Sequence, residues 1–317
     1  MESAVRVIER ARVEDLESHR GFLWGLAYRL TGNAADAEDV VQETFVRALR
    51  RPPADRQRPW RPWLVAVALN LGRDLLRRRR RRGYPGSWLP SPIEAEPPSH
   101  EPAGQAADPA SHYELTESVS FAFLLALEAL TPMQRAALLL RDVFDYTVRE
   151  TAQALAISEA NARTAHLRAR RAMAAYDASR RPPALERHAR TRAALERFLA
   201  SVARGDMAAV EALLADDVRA VTDTGGEFHA NHVPVVGRRK VAALFVGVAR
   251  GLGQLVRSDL RSLNAAPAFV GETVSRPGYA PRWVVAAEAD DEGRLSRIYT
   301  VLATGKLTRI HFPDPGR

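Results

Sequence analysis

Apolar residues recur along the chain at two different periods, and the change of period divides it into parts. Up to about residue 82, and again from Leu115 to Tyr176, apolar side chains recur every three or four residues, which predicts amphipathic helices. Beyond His188 the pattern begins with helices and then changes to the alternation typical of strands, with turn signals such as Asp291-Glu292-Gly293. Helices followed by a run of strands indicate an α+β domain behind an all-helical front.

A segment of different composition separates the two helical parts. Residues 83–113 contain seven of the 20 prolines and several acidic residues but no lysine or arginine, which predicts an extended linker. The predicted domains are therefore 14–82 and 114–178, both all-α, and an α+β domain over 188–312, with the linker at 83–113.

The helix before the linker ends in an unbroken run of six arginines, Arg77 to Arg82. Its predicted apolar face consists of Trp60, Trp63, Leu64, Val67, Leu71 and Leu75. Asn70, Arg73 and Arg77 fall outside that face and are expected to point outward. Such a concentration of positive charge attracts a polyanion. A solvated basic tail or a localisation tract is the alternative interpretation of an arginine run alone.

Composition narrows the classes of function. The 317 residues include 46 Lys plus Arg against 38 Asp plus Glu, so the net charge of +8 and the pI near 10.3 suit a nucleic-acid partner. The absence of cysteine excludes disulfides, thiolate zinc sites and cysteine nucleophiles. No apolar stretch approaches membrane-spanning length and no secretory signal is apparent, so we expect a cytoplasmic protein without a membrane partner.

The second helical part contains a short helix, a tight turn and a longer basic helix. Thr147 and Ser158 are candidate N-caps of the two helices, and Ala156 and Ile157 fall at the turn between them. This order is typical of a helix-turn-helix, whose second helix lies in the DNA major groove. Basic residues cluster on the second helix only, which favours this interpretation over a plain helical hairpin. The residues expected to face DNA are Asn161, Arg163, Thr164 and His166, followed by Arg168, Arg170 and Arg171 toward phosphates.

Residues 36–49, DAEDVVQETFVRAL, predict an amphipathic helix with one acidic face. The predicted buried stripe is Val41, Phe45, Ala48 and Leu49. The opposite side carries Asp36, Asp39, Gln42 and Glu43. Because an acidic face does not suit contact with DNA, it is either solvated surface or a docking surface for a basic protein element. Interaction with the helix dipole is a further reason for acidic residues in the first turn.

In this order the motifs resemble those of extracytoplasmic-function sigma factors. FLWGLAYRLTGNAADAEDVVQETFVRAL is similar to sigma regions 2.1 and 2.2, WLVAVALNLGRDLLRRRR to regions 2.3 and 2.4, and the helix-turn-helix to region 4. The resemblance implies a promoter-specificity subunit that binds core RNA polymerase and promoter DNA.

The resemblance also implies a role for each of these surfaces. The acidic face would dock on the clamp helices of the polymerase β′ subunit, and region 4 would meet the β flap and read the −35 element as duplex. Asn70 matches the asparagine that reads a flipped base of the −10 element. The basic residues expected to hold the nearby DNA backbone are Arg73, Arg77, Arg78, Arg79 and Arg80.

The remaining sequence resembles sigma factors that carry a C-terminal SnoaL-like domain, a cone-shaped α+β fold akin to nuclear transport factor two. Residues 87–93, SWLPSPI, are similar to the linker motif Trp-Leu-Pro-Glu-Pro, with Ser91 in place of the glutamate. FLASVARGDMAAVEALLADDV and VVGRRKVAALF are similar to helices of the fold. Two family motifs are altered: Asp-Gly-Gly-Gly is Asp223-Thr224-Gly225-Gly226 here, and Asn-Pro-Asp-Lys-Leu is Ala303-Thr304-Gly305-Lys306-Leu307.

The linker motif predicts regulation in cis. Trp88, Leu89 and Pro90 place apolar groups in a segment too polar and proline-rich to fold alone, so we expect the C-terminal domain to bury them. A linker docked in this way would fix the two DNA-binding parts at the spacing of the free protein.

Catalysis by the C-terminal domain is the competing function. Asp223, His229 and His232 are the candidates for a general base, with Tyr299 as a further candidate, but no positioned partner is visible in the sequence. We therefore expect no enzyme activity, metal or cofactor, and leave open an unidentified small-molecule ligand in a pocket of the cone. A SnoaL-like ligand-binding or catalytic protein fused to a generic helix-turn-helix is the alternative overall, and it would not need the acidic face.

Overall fold

The computed structural model describes residues 16–51, 59–94, 113–180, 184–231 and 233–312. These residues form two compact units. The helical unit contains the described residues up to Arg82 together with 113–118 and 126–179, and the α+β unit contains 83–94, 119–125 and 180–312. The later part of the predicted linker and His232 lie outside the described residues.

The helices occupy the regions where the three-to-four periodicity predicts them. In chain order they are α1 (Arg20–Thr31), α2 (Ala34–Arg50), α3 (Arg61–Arg82), α4 (Phe121–Ala126), α5 (Pro132–Asp142), α6 (Val148–Leu155), α7 (Glu159–Ser179), α8 (Leu185–Arg204), α9 (Met207–Ala212) and α10 (Arg238–Gly251). Short 3-10 turns occur at Glu117–Val119, Leu127–Ala129 and Thr304–Lys306.

The buried face of α3 differs from the prediction. The fully buried positions are Leu64, Val65, Ala68, Leu69, Gly72 and Leu76. Leu64 belongs to both sets, whereas the other predicted positions, Trp60, Trp63, Val67, Leu71 and Leu75, are only half-buried. The reason is that α3 contacts α1 and α2 as well as α5 and α6, so two adjacent stripes of the helix are apolar. Periodicity alone does not show which of them lies deeper.

Local capping forms the helix-turn-helix as predicted. The Thr147 hydroxyl accepts from the backbone N–H of Glu150, whose carboxylate accepts from the N–H of Thr147, and together they form a capping box at the start of α6. Ala156 ends α6 with φ of 55°, the left-handed conformation that glycine usually provides. Ser158 then accepts from the N–H of Asn161 at 3.2 Å and begins α7. The predicted turn at Ala156 is confirmed.

The α+β unit contains a six-stranded sheet in the order β2-β1-β6-β5-β4-β3. Its strands are β1 (Leu214–Asp223), β2 (Val235–Val236), β3 (Leu255–Leu263), β4 (Ala266–Thr273), β5 (Arg282–Ala289) and β6 (Leu295–Val301). β1 and β6 are parallel, and the other neighbours are antiparallel. The segments whose alternation predicts strands, VRAVTD, QLVRSDLRSL, RWVVAAEAD and RLSRIYTVLA, correspond to β1, β3, β5 and β6. The α+β class is confirmed, and the sequence did not predict β2 and β4.

The two faces of the sheet are covered by different parts of the chain. One face packs against α8, α9 and α10, with Phe198, Val241 and Ile298 at its centre. The other face is covered by residues that precede the domain in sequence: Leu89 and Phe121 are fully buried there, and the Phe121 ring stacks on Tyr299 at 5.1 Å. Linker residues are therefore part of the hydrophobic core of this unit.

We expect Ala265→Gly to stabilise the α+β unit. Asn264 and Ala265 form the two-residue turn between β3 and β4, with φ of 52° and 59°, a pairing that favours glycine at the second position. Removing the Cβ strain should raise the free energy of unfolding by about 0.5–1 kcal/mol. Ala286→Gly in the middle of β5 is the matched control, and it should lower the unfolding free energy by about 1 kcal/mol. A denaturant midpoint for Ala265→Gly at or below that of the unmodified chain would contradict the turn assignment.

Candidate functional site

The outer face of α2 carries the acidic residues that the sequence singles out. Asp39, Gln42 and Glu43 are exposed, and Asp36 is half-buried in the first turn. Glu43 forms an ion pair with Arg47 at 2.8 Å on the surface of the same helix. The face can therefore meet a basic partner without disturbing the buried side of the helix.

Two apolar side chains extend this acidic face. Val46 is 37% exposed and Leu49 is 57% exposed. The prediction that Leu49 belongs to the buried stripe is wrong. It lies about 80° around the helix from Val41, whereas Ala48 lies about 20° from it. A partner on this face would meet carboxylates and apolar groups together, the combination typical of a protein interface.

Asn70 lies on the exposed side of α3, next to basic residues. Arg73 donates to the Asn70 side-chain oxygen at 3.3 Å, which leaves the amide nitrogen to face a partner. Burial and the neighbouring Arg77 charge lower the pKa of Arg73. Arg77 and Arg78 are exposed, and Arg77 forms an ion pair with Asp74 of the same helix. A hydrogen-bonding amide and exposed guanidinium groups thus share one surface.

The next two arginines of the run make contacts within the helical unit. Arg79 donates to both carboxylate oxygens of Glu128, at 2.6 and 2.7 Å, and to the carbonyl of Thr31 at 2.9 Å. Arg80 is exposed but donates to the carbonyl of Leu130. The run is therefore divided between an outward part and a part that is engaged inside the protein.

Helix α7 exposes one polar face. The exposed predicted residues on it are Asn161, Arg163, Thr164, Arg168 and Arg171. Arg163 pairs with Glu159 at 2.9 Å one turn earlier. Leu167, which the sequence reasoning did not single out, is 51% exposed on the same face, three residues after Thr164. The spacing of three residues from Thr164 was the sequence signal that could have assigned Leu167 to this face.

His166 and Arg170 lie on the flank of α7, where they are half-buried. His166 Nε2 lies 2.7 Å from Asp142 Oδ1, and Arg170 lies 3.7 Å from both Asp142 and Asp177. The Tyr113 hydroxyl donates to Asp177 at 2.8 Å, and burial followed by the Asp177 hydrogen bond raises its pKa well above the usual range. These contacts hold His166 and Arg170 within the helical unit.

The described part of the linker, residues 83–94, belongs to the α+β unit. Leu89 and Pro90 are buried and Trp88 is half-buried, so the expected burial of the linker motif is confirmed. Farther along, the Asn264 side chain accepts from the Ile93 N–H at 2.9 Å, and the Asn264 N–H donates to the Ile93 carbonyl at 3.0 Å. The linker is thus fixed by backbone contacts as well as by apolar burial.

Asp223 and Lys306 form a buried ion pair, and both side chains also contact the backbone of the linker residue Leu89. Asp223 Oδ2 accepts from the Leu89 N–H at 2.8 Å and from Lys306 Nζ at 2.5 Å, and Lys306 also donates to the Leu89 carbonyl at 2.5 Å. The Tyr84 hydroxyl donates to Asp223 Oδ1 at 2.7 Å. The Lys306 ammonium lies 4.5 and 4.6 Å from the ring centres of Tyr84 and Trp88. We call Tyr84, Trp88, Leu89, Asp223 and Lys306 the linker clasp.

The groups considered for catalysis do not form a site among the described residues. Asp223 is fully buried in the linker clasp, His229 is exposed, and Tyr299 donates to Glu288 at 3.2 Å. Within the described ranges there is no group of three or more His, Cys, Asp or Glu side chains suited to a metal ion. The described helices include none that is long and apolar enough to cross a membrane.

Comparison with known proteins gives matches to both helical regions and to the whole chain. The Sigma-70 region 2 family model matches residues 16–82, and the Sigma-70, region 4 model matches residues 120–173. The ECF RNA polymerase sigma factor SigJ of Mycobacterium tuberculosis is 36% identical over 93% of this chain and 93% of its own length. The probable ECF RNA polymerase sigma factor SigI of the same species is 30% identical over 71% of this chain and 72% of its own.

A solved structure agrees with these matches. The crystal structure of the Mycobacterium tuberculosis extracytoplasmic function sigma factor SigJ has a TM-score of 0.67 and 29% identity, and it covers 94% of this chain and 98% of that one. The predicted order of two helical regions and an α+β domain is therefore confirmed. The chain belongs to the extracytoplasmic-function family of RNA polymerase sigma factors.

Proposed function

We propose that this sigma factor uses three separate surfaces for promoter recognition and that its C-terminal domain regulates it in cis. The outer face of α2 docks on the basic clamp helices of the polymerase β′ subunit, the Asn70 face of α3 binds the −10 element, and the outer face of α7 reads the −35 duplex while region 4 meets the β flap. A protein with these partners acts where polymerase and DNA are found, so the proposal includes a cytoplasmic location.

The separation of charge between helices carries this proposal. The outer face of α2 carries exposed carboxylates and two apolar side chains, with the exposed Arg47 and Arg50 toward its C-terminal end, whereas most exposed charged groups on α3 and α7 are guanidinium groups. A DNA-binding regulator without polymerase contacts has no use for the α2 face, because its charge repels DNA. The chain therefore has one surface suited to a basic protein and two suited to a polyanion.

We expect reversal of the acidic face to weaken binding to core polymerase. Asp39→Lys combined with Glu43→Lys places like charges against the basic clamp helices and should lower the affinity roughly ten- to a hundredfold. Both side chains are exposed, so the helical content should not change. Fluorescence titration with core polymerase at moderate salt measures the effect. Glu186→Lys combined with Glu196→Lys on α8 makes the same change of charge elsewhere, and equal weakening by both pairs would refute a specific α2 contact.

We expect Asn70→Ala to remove base preference, not general DNA affinity. The lost amide should reduce open-complex formation about tenfold at promoters that carry the preferred −10 base, and much less at promoters altered there. Replacing Arg77 and Arg78 by Gln should instead weaken binding to all sequences and reduce its salt dependence. Permanganate footprinting of melted thymines on paired promoters measures both. Equal losses by Asn70→Ala on the two promoters would assign that residue a structural role.

We expect Lys306→Met to release the linker. Its removal leaves the fully buried Asp223 carboxylate without a counter-ion, which should cost about 3–5 kcal/mol locally. Hydrogen exchange at the Leu89 amide should accelerate, and promoter-dependent transcription at fixed polymerase should rise. Trp88→Ala, which removes one of the two rings next to the ammonium, should give part of both effects.

The matched control for the linker clasp is Arg192→Met, which removes an exposed ion pair on α8. It should leave Leu89 exchange and transcription unchanged. Faster exchange in Lys306→Met with unaltered transcription would refute regulation in cis while leaving the assignment as a sigma factor intact.

A further inference from the structure

Glu128 forms a charged cluster between two arginines that come from different helices of the helical unit. Its carboxylate accepts two hydrogen bonds from Arg79 of α3 and one from Arg135 of α5, the last at 2.6 Å. Both oxygens of the carboxylate therefore contact one guanidinium nitrogen of Arg79, Nη2, and these charge-assisted hydrogen bonds are stronger than neutral ones. We call Arg79, Glu128 and Arg135 the arginine latch.

The arginine latch also holds the end of α1. Arg79 donates to the Thr31 carbonyl at 2.9 Å and Arg135 donates to the Leu30 carbonyl at 2.9 Å. These carbonyls belong to the last turn of α1, where the negative end of the helix dipole favours positive charge. One cluster thus connects α1 and α3 of region 2 with the segment from Glu128 to Arg135, which belongs to region 4.

The side chains of the arginine latch differ in solvent exposure, and this difference allows another anion to replace Glu128. The Arg135 side chain is 2% exposed, whereas Arg79 is 19% and Glu128 is 31% exposed. Burial would raise the pKa of Glu128, but Arg135 and Arg79 outweigh it and lower that pKa, so the carboxylate is charged at neutral pH. An anion arriving from solvent can therefore reach Arg79 and displace Glu128 without entering the core.

We propose that Glu128 occupies, in the free protein, the place on Arg79 that a phosphodiester of promoter DNA takes in the complex, and so latches the helical unit closed. The ligand class is the nucleic-acid backbone. Arg79 belongs to the run for which the proposed function assigns backbone contacts, and this inference rests on that function. In the latch, Arg79 already pairs with an internal anion. The free sigma factor therefore binds DNA with a lower affinity than its positive charge alone would predict.

The test compares two neutralising substitutions in the full-length chain. Glu128→Gln removes the latch anion, and Asp74→Asn removes an equal charge from the exposed pair with Arg77 on α3, next to the same run. The probe is a fluorescent single-stranded oligonucleotide that carries the −10 sequence, together with a scrambled one. We expect Glu128→Gln to bind both probes about three- to tenfold more tightly, and Asp74→Asn to change binding less than about twofold.

Opening of the helical unit is measured separately. The chain has no cysteine, so Arg50→Cys on α2 and Ala174→Cys on α7 give a unique, exposed pair for spin labels. Glu128→Gln should broaden the distance distribution of this pair toward longer values, and Asp74→Asn should leave it as in the unmodified chain.

A second variant separates opening from loss of folding. Glu128→Gln leaves the buried Arg135 without its anion, so Glu128→Gln combined with Arg135→Met removes that charge as well. We expect this double variant to retain the helical content of the unmodified chain and to show the same gain in DNA affinity.

Two results would overturn the latch. One is unchanged probe affinity and label distance in both Glu128 variants, and the other is an equal gain from Asp74→Asn, which would make the effect one of general charge. Transcription with core polymerase separates this failure from that of the proposed function. A lack of promoter-dependent transcription by the unmodified chain would count against the function, whereas normal transcription with an inactive latch would count against the latch alone.

Discussion

The buried carboxylate of Asp223 holds together three parts of the α+β unit that are far apart in sequence. It ends β1, accepts from the backbone of the linker at Leu89, and pairs with Lys306 beyond the last strand. A carboxylate with no exposed surface is tolerated only when its oxygens are fully hydrogen-bonded and a counter-ion is near. The linker supplies two of the donors, through Tyr84 and Leu89, so the carboxylate and the docked linker stabilise each other.

The mutual stabilisation of Asp223 and the linker explains which residues of the altered family motifs are retained. Within the two altered motifs, the aspartate of the first and the lysine of the second are retained, and these two residues meet in the linker clasp. The neighbouring substitutions leave the clasp intact, because Gly225 still donates its N–H to Asp223 at 2.9 Å. This chain therefore retains the charge pair next to the linker, although it does not retain the full sequence of either motif.

Much of the fold could be predicted because it depends on neighbours in sequence. The capping box of Thr147, the turn at Ala156 and the alternation in the strands are all short-range signals. The prediction of the more deeply buried stripe of α3 was wrong because other helices cover both of its apolar stripes. The sequence of one helix does not show which neighbours pack against it. The clasp and the arginine latch escaped prediction for a stronger reason: Lys306 lies 83 residues from Asp223, and Glu128 lies 49 from Arg79.

Besides the apolar packing of α3 on α5 and α6, the helical unit contains polar contacts that water or phosphate can replace. Arg135 is buried and Arg29 is half-buried, and desolvation lowers each pKa to about 10, so both remain charged at neutral pH. Arg29 donates to the Leu115 carbonyl at 3.0 Å and Arg135 to the Leu30 carbonyl at 2.9 Å, so both connect α1 with segments of the second helical part. A guanidinium can exchange a carbonyl for water at little net cost, whereas separated apolar surfaces lose their full burial energy. The permanent charges that help to join the two DNA-binding parts thus leave their separation within reach of the energy that polymerase and promoter binding can supply.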